Sequence, residues 1–513
     1  MQATPQSFQT AVALIKSDAA AFLPEIALSL SVCALLIYDV VVKKASARGA
    51  AILAMIGVAA SGLALWFQEP PAGGRELFAV VEGGPGMLRL DRFGTFFKAL
   101  ILAATALTIP MAAQYAPFRR RRMGEFYALL LGSVVGMFGM ASSVNLLMFY
   151  LSVEFASMAS YLLTAFVKRD MKGSEGGLKY VVYGSVASGL MIYGMSLIYG
   201  MTGSLHVGAL GERLTASGLD EPALVVAGLL AFAGFAYKMS AFPMHFWTPD
   251  VYEGAPTPFT AFLSVASKAA GFALFIRFLL AYAPGFGVQA ATGAPTNVDW
   301  PTLIAIVAAA SMTVGNLAAL QQTNVKRMLA YSSIAHAGYL LMGVAAMRPG
   351  AEFAAGRTDA VLFYFVVYLA MNLGAFFVVN AVESDPRLNA KTVDDYDGLF
   401  RRAPFLAICL AWFVYSLIGL PPAAGFTGKL QLFMAVVERD WYWLAIVAGL
   451  NTAISMYYYA RVFRAMFFGE ARDASPVKFG PALHVVVGVL AVAVLWLFVD
   501  SDRMVRLTQR FGL

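Results

Sequence analysis

Long apolar runs alternate with short polar connections along almost the whole chain. About fourteen runs can be marked out, and each approaches the roughly 20 residues that a membrane-spanning helix needs. The connections are short, and even the longest three, at 68–91, 201–220 and 383–402, are too short to fold alone. The pattern predicts an all-α polytopic membrane protein with about 14 transmembrane helices. The runs, numbered here as segments 1 to 14, lie near 22–42, 47–67, 92–113, 123–141, 143–167, 174–200, 221–247, 257–283, 300–321, 324–347, 358–382, 403–438, 441–468 and 482–499.

Proline interrupts two of these runs. Pro243 falls in segment 7, and Pro421 with Pro422 falls in segment 12. A proline inside a helix removes a backbone hydrogen bond and breaks or kinks the helix. At membrane depth such a break persists where the freed backbone faces protein or a water-filled cavity. We therefore expect broken helices 7 and 12.

The two interrupted segments occupy matching places in the chain. Each is the fourth member of a set of five segments, and because five is odd, the two sets would have opposite orientations. Such a layout is typical of inverted repeats with a site at their interface. It predicts N-terminal helices 1–3 in 1–122, a first five-helix repeat in 123–283, a second in 300–468, and a C-terminal helix with its tail in 482–513.

Composition and charge agree with a membrane protein. Hydrophobic residues make up 60% of the chain and charged residues 13%, with a mean hydropathy of +0.70, whereas soluble domains carry about 25% charged residues. The net charge of +7 does not indicate nucleic acid, because Lys and Arg concentrate in short connections, most of them after odd-numbered segments. That bias predicts a cytoplasmic location for the odd connections and a periplasmic one for both termini.

No removable signal peptide is evident in the first 30 residues. Cys33 and Cys409 have no metal-ligand spacing.

Six basic residues fall inside the apolar segments. A charge at the bilayer centre costs about 2.5–3.5 kcal/mol on insertion scales. Lys98 and Arg277 lie about six residues from a segment end, so we expect their side chains to snorkel to the interface. The remaining four resist that explanation to different degrees: Lys179, Lys238, Lys268 and Lys429.

Three of these lysines lie where access to water or a close neighbour is expected. Lys238 precedes Pro243 by five residues, Lys429 follows the second break, and Lys268 stands mid-segment among small residues. Lys179 is either a relay member or a snorkelling side chain. A static charge that holds helices together is the alternative reading of Lys238 and Lys268.

A buried carboxylate completes the pattern. Glu154 lies deep in segment 5 and becomes tolerable if a buried lysine pairs with it, which would couple the two protonation states. Glu25 is expected to reach an interface instead. His245 follows the first break, and His336 lies near Tyr339 in segment 10. These histidines are either relay members or hydrogen-bonded packing residues. Coupled buried groups of this kind are typical of a proton path.

Four stretches that carry these residues resemble the antiporter-like membrane subunits of respiratory complex I. They are LKYVVYGSVASGLMIYGMSLIYGMTGS at 178–204, KMSAFPMHFWTPDVYEGAPTPFTAFLSVASKAAGF at 238–272, NVKRMLAYSSIAHAGYLLMG at 324–343 and GLPPAAGFTGKLQLF at 419–433. The resemblance runs from about Pro24 through segment 14, and WTPDVYEGAP is typical of the N type. Lys429 argues against the M type, which has glutamate there, and the short tail argues against the L type. The stretch 68–91 is longer and richer in Gly and charge than in that family.

The resemblance implies a fold of 14 helices with two inverted repeats and broken helices 7 and 12. It implies a proton path through Glu154, Lys238, Lys268 and Lys429, with lesser parts for Lys179 and His245. The implied function is proton translocation from cytoplasm to periplasm by a membrane subunit of NADH:quinone oxidoreductase in the bacterial cell inner membrane. FMN and iron–sulfur clusters are expected in partner subunits, consistent with the lack of a redox or nucleotide motif here.

The partners implied are the antiporter-like subunit M, the small membrane subunits and lipids, with no nucleic acid. Three alternatives remain open. The chain could belong to a multi-subunit cation/proton antiporter, to a related ferredoxin- or hydrogen-fed membrane complex, or to a passive scaffold that only docks its neighbours.

Overall fold

The structure, a computed structural model, describes residues 18–42, 46–71, 73–79, 85–118, 123–168, 170–216, 221–282, 299–347, 358–385, 391–471, 475–477 and 480–512. Several basic positions used to predict orientation lie outside these residues, as does the predicted segment end at 283. They are Lys16, Lys43, Lys44, Arg119, Arg120, Arg121, Arg122, Arg169, Arg348, Arg357, Arg387, Arg472 and Lys478.

The helices follow the predicted apolar runs. The first eight are α1 (Leu23–Val41), α2 (Ala47–Trp66), α3 (Arg92–Gln114), α4 (Gly124–Ser142), α5 (Leu146–Thr164), α6 (Met171–Thr202), α7a (Glu221–Met239) with α7b (Trp247–Gly254), and α8 (Thr257–Tyr282). The others are α9 (Trp300–Leu320), α10 (Val325–Ala345), α11 (Thr358–Glu383), α12a (Pro404–Ile418) with α12b (Ala424–Val437), α13 (Tyr442–Phe468), α14 (Pro481–Val499) and α15 (Ser501–Gln509).

The described residues contain 12 helices that are long and apolar enough to cross a membrane. They are α1 to α11, with α7a standing for the seventh, and α14. Both halves of the twelfth helix are shorter, and α13 does not meet the same measure of length and hydropathy. An all-α membrane fold is therefore confirmed, while the full count of 14 spans stays a prediction.

Both predicted helix breaks are present. Helix α7a ends at Met239, Ser240 follows with a φ of 60°, and α7b begins at Trp247. Helix α12a ends at Ile418, and Gly419 closes it with a φ of 90°. That left-handed conformation suits glycine, which has no Cβ.

Three helices form the centre of the bundle. The most apolar 18 residues of α8 are all buried, and those of α10 and α11 are almost as fully buried, whereas α1 and α14 bury less than a third of theirs. Helix α8 is also irregular, because Leu263–Ser267 form a π-helical turn. Such turns widen an α-helix locally and occur frequently at functional sites.

The connections of the bundle meet in two separate groups. Strands β1 (Arg75–Leu77) and β2 (Leu88–Leu90) form an antiparallel ladder within the unusual stretch 68–91. Bridges join Leu88 to Ser143 and Asn145 to His206. These link the connections after segments 2, 4 and 6 at one end of the bundle. A bridge between Asn324 and Thr392 links the connections after segments 9 and 11. Such grouping is expected of helices that cross a membrane in alternating directions.

Lys98 does not snorkel. Its Nζ lies 2.6 Å from Oε1 of Glu25 on α1, and both side chains are buried. The prediction of an interfacial Glu25 is also wrong. Two opposite charges brought together by neighbouring helices compensate each other in the interior, so neither has to reach the surface.

Arg277 is likewise paired inside the protein. Its guanidinium donates to both carboxylate oxygens of Asp91, at 2.8 and 2.6 Å, and its Nε donates to the carbonyl of Ala141 at 2.8 Å. Asp91 caps the start of α3 by accepting from the backbone of Gly94. Burial raises the pKa of Asp91, but the adjacent guanidinium outweighs burial and leaves that pKa below its ordinary value. The snorkelling prediction is therefore wrong here too, although a structural role fits.

Candidate functional site

Lys238 lies one residue before the end of α7a and is 1% exposed. Its Nζ donates to Oγ of Ser157 on α5 at 3.0 Å, and Ser157 in turn donates to the carbonyl of Val153. The serine hydroxyl thus holds the ammonium group in place. The ammonium form of a lysine can give a proton and its neutral amine can take one, and a hydroxyl, which is both donor and acceptor, is suited to relay that proton.

Glu154 approaches Lys238 without bonding to it. The two charges interact electrostatically, but among the described residues Glu154 has no ion pair within 4 Å, and its buried Oε1 has no hydrogen-bond partner. The direct pairing expected from the sequence is therefore not formed. Ser157, one helical turn after Glu154, accepts the hydrogen bond of the lysine instead.

Lys268 follows directly after the π-helical turn of α8 and is 1% exposed. Its Nζ donates to the carbonyl of Ser333 on α10 at 2.5 Å. The same helix contacts Lys238 at Gly271, where an added Cβ would lie 3.3 Å from the lysine's C and Cγ atoms. Gly271 lies one turn after Lys268. The absence of a side chain at Gly271 therefore brings the two lysine-bearing helices close together.

His336 lies between Lys268 and Lys429. Both lysines act on it electrostatically, and it is 3% exposed. Its Nδ1 lies 2.6 Å from the hydroxyl of Tyr364, and its ring centroid lies 5.1 Å from that of Tyr368. The Tyr368 hydroxyl donates to the Ser333 Oγ at 2.9 Å, so Ser333, whose carbonyl binds Lys268, is hydrogen-bonded to a tyrosine that packs against the histidine.

Lys429 lies on α12b, after the second helix break, and is 4% exposed. Its Nζ donates to the carbonyl of Ile418 at 2.8 Å and lies 4.4 Å from the centroid of the Tyr339 ring. Ile418 is the last residue of α12a, and the end of a helix carries partial negative charge and unsatisfied carbonyls. The break therefore supplies part of the environment that holds this charge.

Three residues of α10 connect the contact made by Lys268 with the contact made by Lys429. Ser333, His336 and Tyr339 are spaced three apart and share one face of the helix. We call Lys238, Lys268, His336 and Lys429 the lysine row. Its members are all buried, and each has a hydrogen bond to a hydroxyl or carbonyl oxygen.

Lys179 lies outside the lysine row. Its side chain is 38% exposed, and its Nζ contacts Asp250 at 2.7 Å and Glu175 at 2.6 Å. Asp250 also accepts from Arg327 of α10. Burial raises the pKa of Asp250, but the hydrogen bonds from Lys179 and Arg327 outweigh it and lower that pKa below its ordinary value. This exposed network ties α6, α7b and α10 together.

His245 also lies apart from the row. It sits in the turn after α7a, 4% exposed, with its ring centroid 4.4 Å from that of Phe246 and 5.8 Å from that of Phe242. The structure therefore brings together four of the eight predicted proton-path and relay residues in one row, with Glu154 and Tyr339 beside it.

Comparison with known proteins shows a family likeness over most of the chain. The family model described as NADH:quinone oxidoreductase/Mrp antiporter, TM, matches residues 143–455. "NADH-quinone oxidoreductase subunit N" of Anaeromyxobacter sp. (strain Fw109-5) is 47% identical over 511 residues, which is 95% of each chain. The protein of the same description from Chlorobium chlorochromatii is 44% identical and covers 90% of this chain and 88% of its own. The chain belongs to the family of subunit N of NADH-quinone oxidoreductase.

Solved structures show how far the subunit N fold extends. A chain of respiratory complex I from Thermus thermophilus with bound aureothin has a TM-score of 0.76 and 28% identity, covering 94% of this chain and 98% of its own. A chain of the Mrp complex from Dietzia sp. DQ12-45-1b has a TM-score of 0.77 at 22% identity, over 95% and 96% of the two chains. The latter likeness shows the fold alone.

Sequence reasoning missed the hydroxyls around the row. Ser157, Ser333, Tyr364 and Tyr368 were not predicted to take part. The tyrosines did carry a signal, because they stand four residues apart in the otherwise apolar FYFVVYLAM of segment 11. Polar residues at i and i+4 share a helix face, so they indicate one polar side of a buried helix.

Proposed function

We propose that this chain is the proton-translocating, antiporter-like subunit N of NADH:quinone oxidoreductase, and that it moves protons from the cytoplasm to the periplasm. The observation that carries the proposal is the lysine row. Three lysines, each at most 4% exposed, have hydroxyl or carbonyl partners. Such ionisable groups inside a membrane protein are costly and mark ion or proton pathways.

Glu154, Lys238, Lys268 and Lys429 are the proton-carrying groups in this proposal. A proton that reaches one member changes the charge felt by the next, so that the row titrates as coupled sites. His336 and Tyr339 relay protons between the middle lysine and Lys429. Lys179 and His245 are the remaining residues of the proposed proton path. They lie near α7b and pass protons to Lys238.

The proposed setting follows the resemblance stated above. The chain spans the bacterial inner membrane with both termini in the periplasm, and helices 4–8 and 9–13 are inverted repeats over 123–283 and 300–468. It contacts subunit M, small membrane subunits and lipids. FMN and iron–sulfur clusters in other subunits carry the electrons from NADH to quinone, and this chain uses the energy released.

A cation/proton antiporter is the second candidate. The likeness to the Mrp complex and the shared family model make that fold compatible with antiport. The 47% identity over 95% of a subunit N relative favours the oxidoreductase. Sodium-dependent transport without NADH oxidation would favour antiport.

The test is a pair of substitutions at Lys238 in the assembled complex. Lys238→Ala removes the charge, while Lys238→Arg keeps a charge that does not lose its proton. If Lys238 carries protons, both variants lose NADH-driven proton pumping and quinone reduction. If Lys238 is a static charge, the arginine variant pumps normally. If the chain is a passive scaffold, both variants do.

A further inference from the structure

A polar cleft of about 250 Å³ opens where connections of the odd-numbered segments meet. Its walls come from the connections after α3, α5, α7b, α9 and α11. Both signs of charge line it, including Lys172, Glu253, Lys326, Glu383 and Lys391. The lysine row as described above does not include any of these groups.

Glu383, the last residue of α11, lies between this cleft and the start of α8. Its side chain is 15% exposed. The hydroxyl of Tyr115 donates to its Oε1 at 3.1 Å, and the hydroxyl of Thr257 donates to its Oε2. Lys326 lies 3.8 Å from the carboxylate and donates to the carbonyl of Ala255 at 2.9 Å. The carboxylate therefore contacts both the cleft and the first residue of α8.

Polar side chains continue along α8 from that contact to the middle lysine. Thr257, Thr260, Ser264 and Lys268 are spaced three, four and four residues apart, which places them on one face of the helix. All are at most 1% exposed. The path from Thr257 to Lys268 is about 15 Å long, from the rise per residue of an α-helix and the one extra residue held in the π-helical turn. We call these four side chains the α8 stripe.

Neighbouring elements present polar groups to the α8 stripe. Asn372 of α11 donates to the Ser264 Oγ at 2.6 Å. The carbonyl of Tyr252 accepts from the Thr260 Oγ1 at 3.3 Å, and the Tyr252 hydroxyl lies 3.5 Å from the Oγ of Ser333, whose carbonyl binds Lys268. Hydroxyls that bond only to their own helix are common and neutral. A buried amide such as that of Asn372 is costly without a partner, and the partner that it finds is a hydroxyl of the α8 stripe.

We infer that Glu383 takes up protons from the cleft and that the α8 stripe passes them to Lys268. The inference rests on the proposed function and names its entry route. Protonated Glu383 gives its proton to the next oxygen along the stripe, and each oxygen passes on a proton of its own. The neutral amine of Lys268 becomes an ammonium, and Glu383 returns to a carboxylate. Successive side chains on a helix face are about 5–6 Å apart, a distance that one water molecule can bridge.

The first test is Glu383→Gln in the assembled complex, with NADH-driven proton pumping and quinone reduction measured in membrane vesicles. Glutamine keeps the size of the side chain and cannot carry the proton. We expect pumping to fall about tenfold, since a positioned acid or base contributes about 10²–10⁴-fold to proton transfer and water in the cleft supplies part of that. Glu383→Asp restores part of the rate. A Glu383→Gln complex that pumps at the wild-type rate overturns the inference.

Lys326→Gln separates proton uptake from a structural ion pair. If the pair with Lys326 is what matters, both single variants are equally impaired and the double variant is no worse than either. If Glu383 carries protons, Lys326→Gln keeps most of the rate.

Ser264→Ala tests the stripe itself, with Ser133→Ala as the matched control. Both serines are fully buried, and each donates to a carbonyl three residues earlier in its own helix, at 2.6 and 2.7 Å. We expect slower pumping only for Ser264→Ala. Equal rates for the two variants contradict a route along α8.

Lys268→Ala, measured in the same membranes, separates the two proposals. If it abolishes pumping while Glu383→Gln and Ser264→Ala pump normally, the lysine row stands and the entry route is overturned. If Lys268→Ala also pumps normally, the proposed function itself fails at this residue.

Discussion

Gly419 provides a sharp test of the second helix break. It closes α12a with a φ of 90°, and a Cβ at this position would lie 2.7 Å from Cδ, 3.3 Å from Cε and 3.4 Å from Nζ of Lys429. Gly419→Ala therefore makes two demands. The backbone must hold an L-residue in the left-handed region, and the lysine stem must move.

The size of the effect follows from these two demands. A non-glycine residue in the left-handed region costs about 1–2 kcal/mol. Carbon atoms in contact prefer a separation of about 3.5–4.0 Å, so the stem has to move by about 1 Å. The Nζ then leaves its 2.8 Å bond to Ile418 and its position over Tyr339. A hydrogen bond to a charged group contributes about 1.5–3 kcal/mol, so if the transfer step loses that bond, pumping slows about 10–150-fold.

The assay compares proton pumping by assembled complexes that carry Gly419→Ala or Gly449→Ala. Gly449 lies within α13, and a Cβ there would meet nothing within 4 Å. Gly449→Ala should pump normally and gain up to about 1 kcal/mol of helix stability. The reasoning is refuted if the two variants assemble equally well and pump at the same rate.

Two further predictions concern ion pairs outside the lysine row. Arg277→Met leaves the Asp91 carboxylate buried without its guanidinium, so we expect a loss of about 3–5 kcal/mol, measured as a lower melting temperature of the purified complex; an unchanged melting temperature would show that the pair contributes nothing. The lowered pKa of Asp250 means that its contribution to stability is fully present above its unfolded-chain value of about 3.9 and is lost as pH falls through the lower folded value. Asp250→Asn should therefore melt below wild type above about pH 5, and the difference should shrink in acid. A difference that does not change with pH would contradict this assignment.

The sequence predicted the helices well because the membrane imposes a length and an apolar character on each of them. It also located both breaks, since Pro243 and Pro421 remove helix hydrogen bonds wherever they occur. The buried lysines were predictable because the segments around them are apolar. A charge in an apolar run is visible without any knowledge of its neighbours.

The partners of those charges were not predictable in the same way. Glu25 and Lys98 pair across two helices, and nothing local to either residue indicates the other. Lys238 contacts Ser157 and not Glu154, because the choice depends on how α5 and α7a are rotated about their axes. Rotation is set by packing over the whole bundle, which a single sequence does not state.

The π-helical turn in α8 makes the position of Lys268 depend on residue count as well as residue identity. Leu263–Ser267 hold about one residue more than the same length of α-helix would. Deleting one residue within this turn would return it to α-helical spacing and leave both ends of α8 in place. Deleting one residue from the regular part before it would turn Lys268 by about 100° relative to Thr257, since each residue of an α-helix advances by that angle. Natural variation in the length of this helix should therefore be tolerated in the turn and excluded on either side of it.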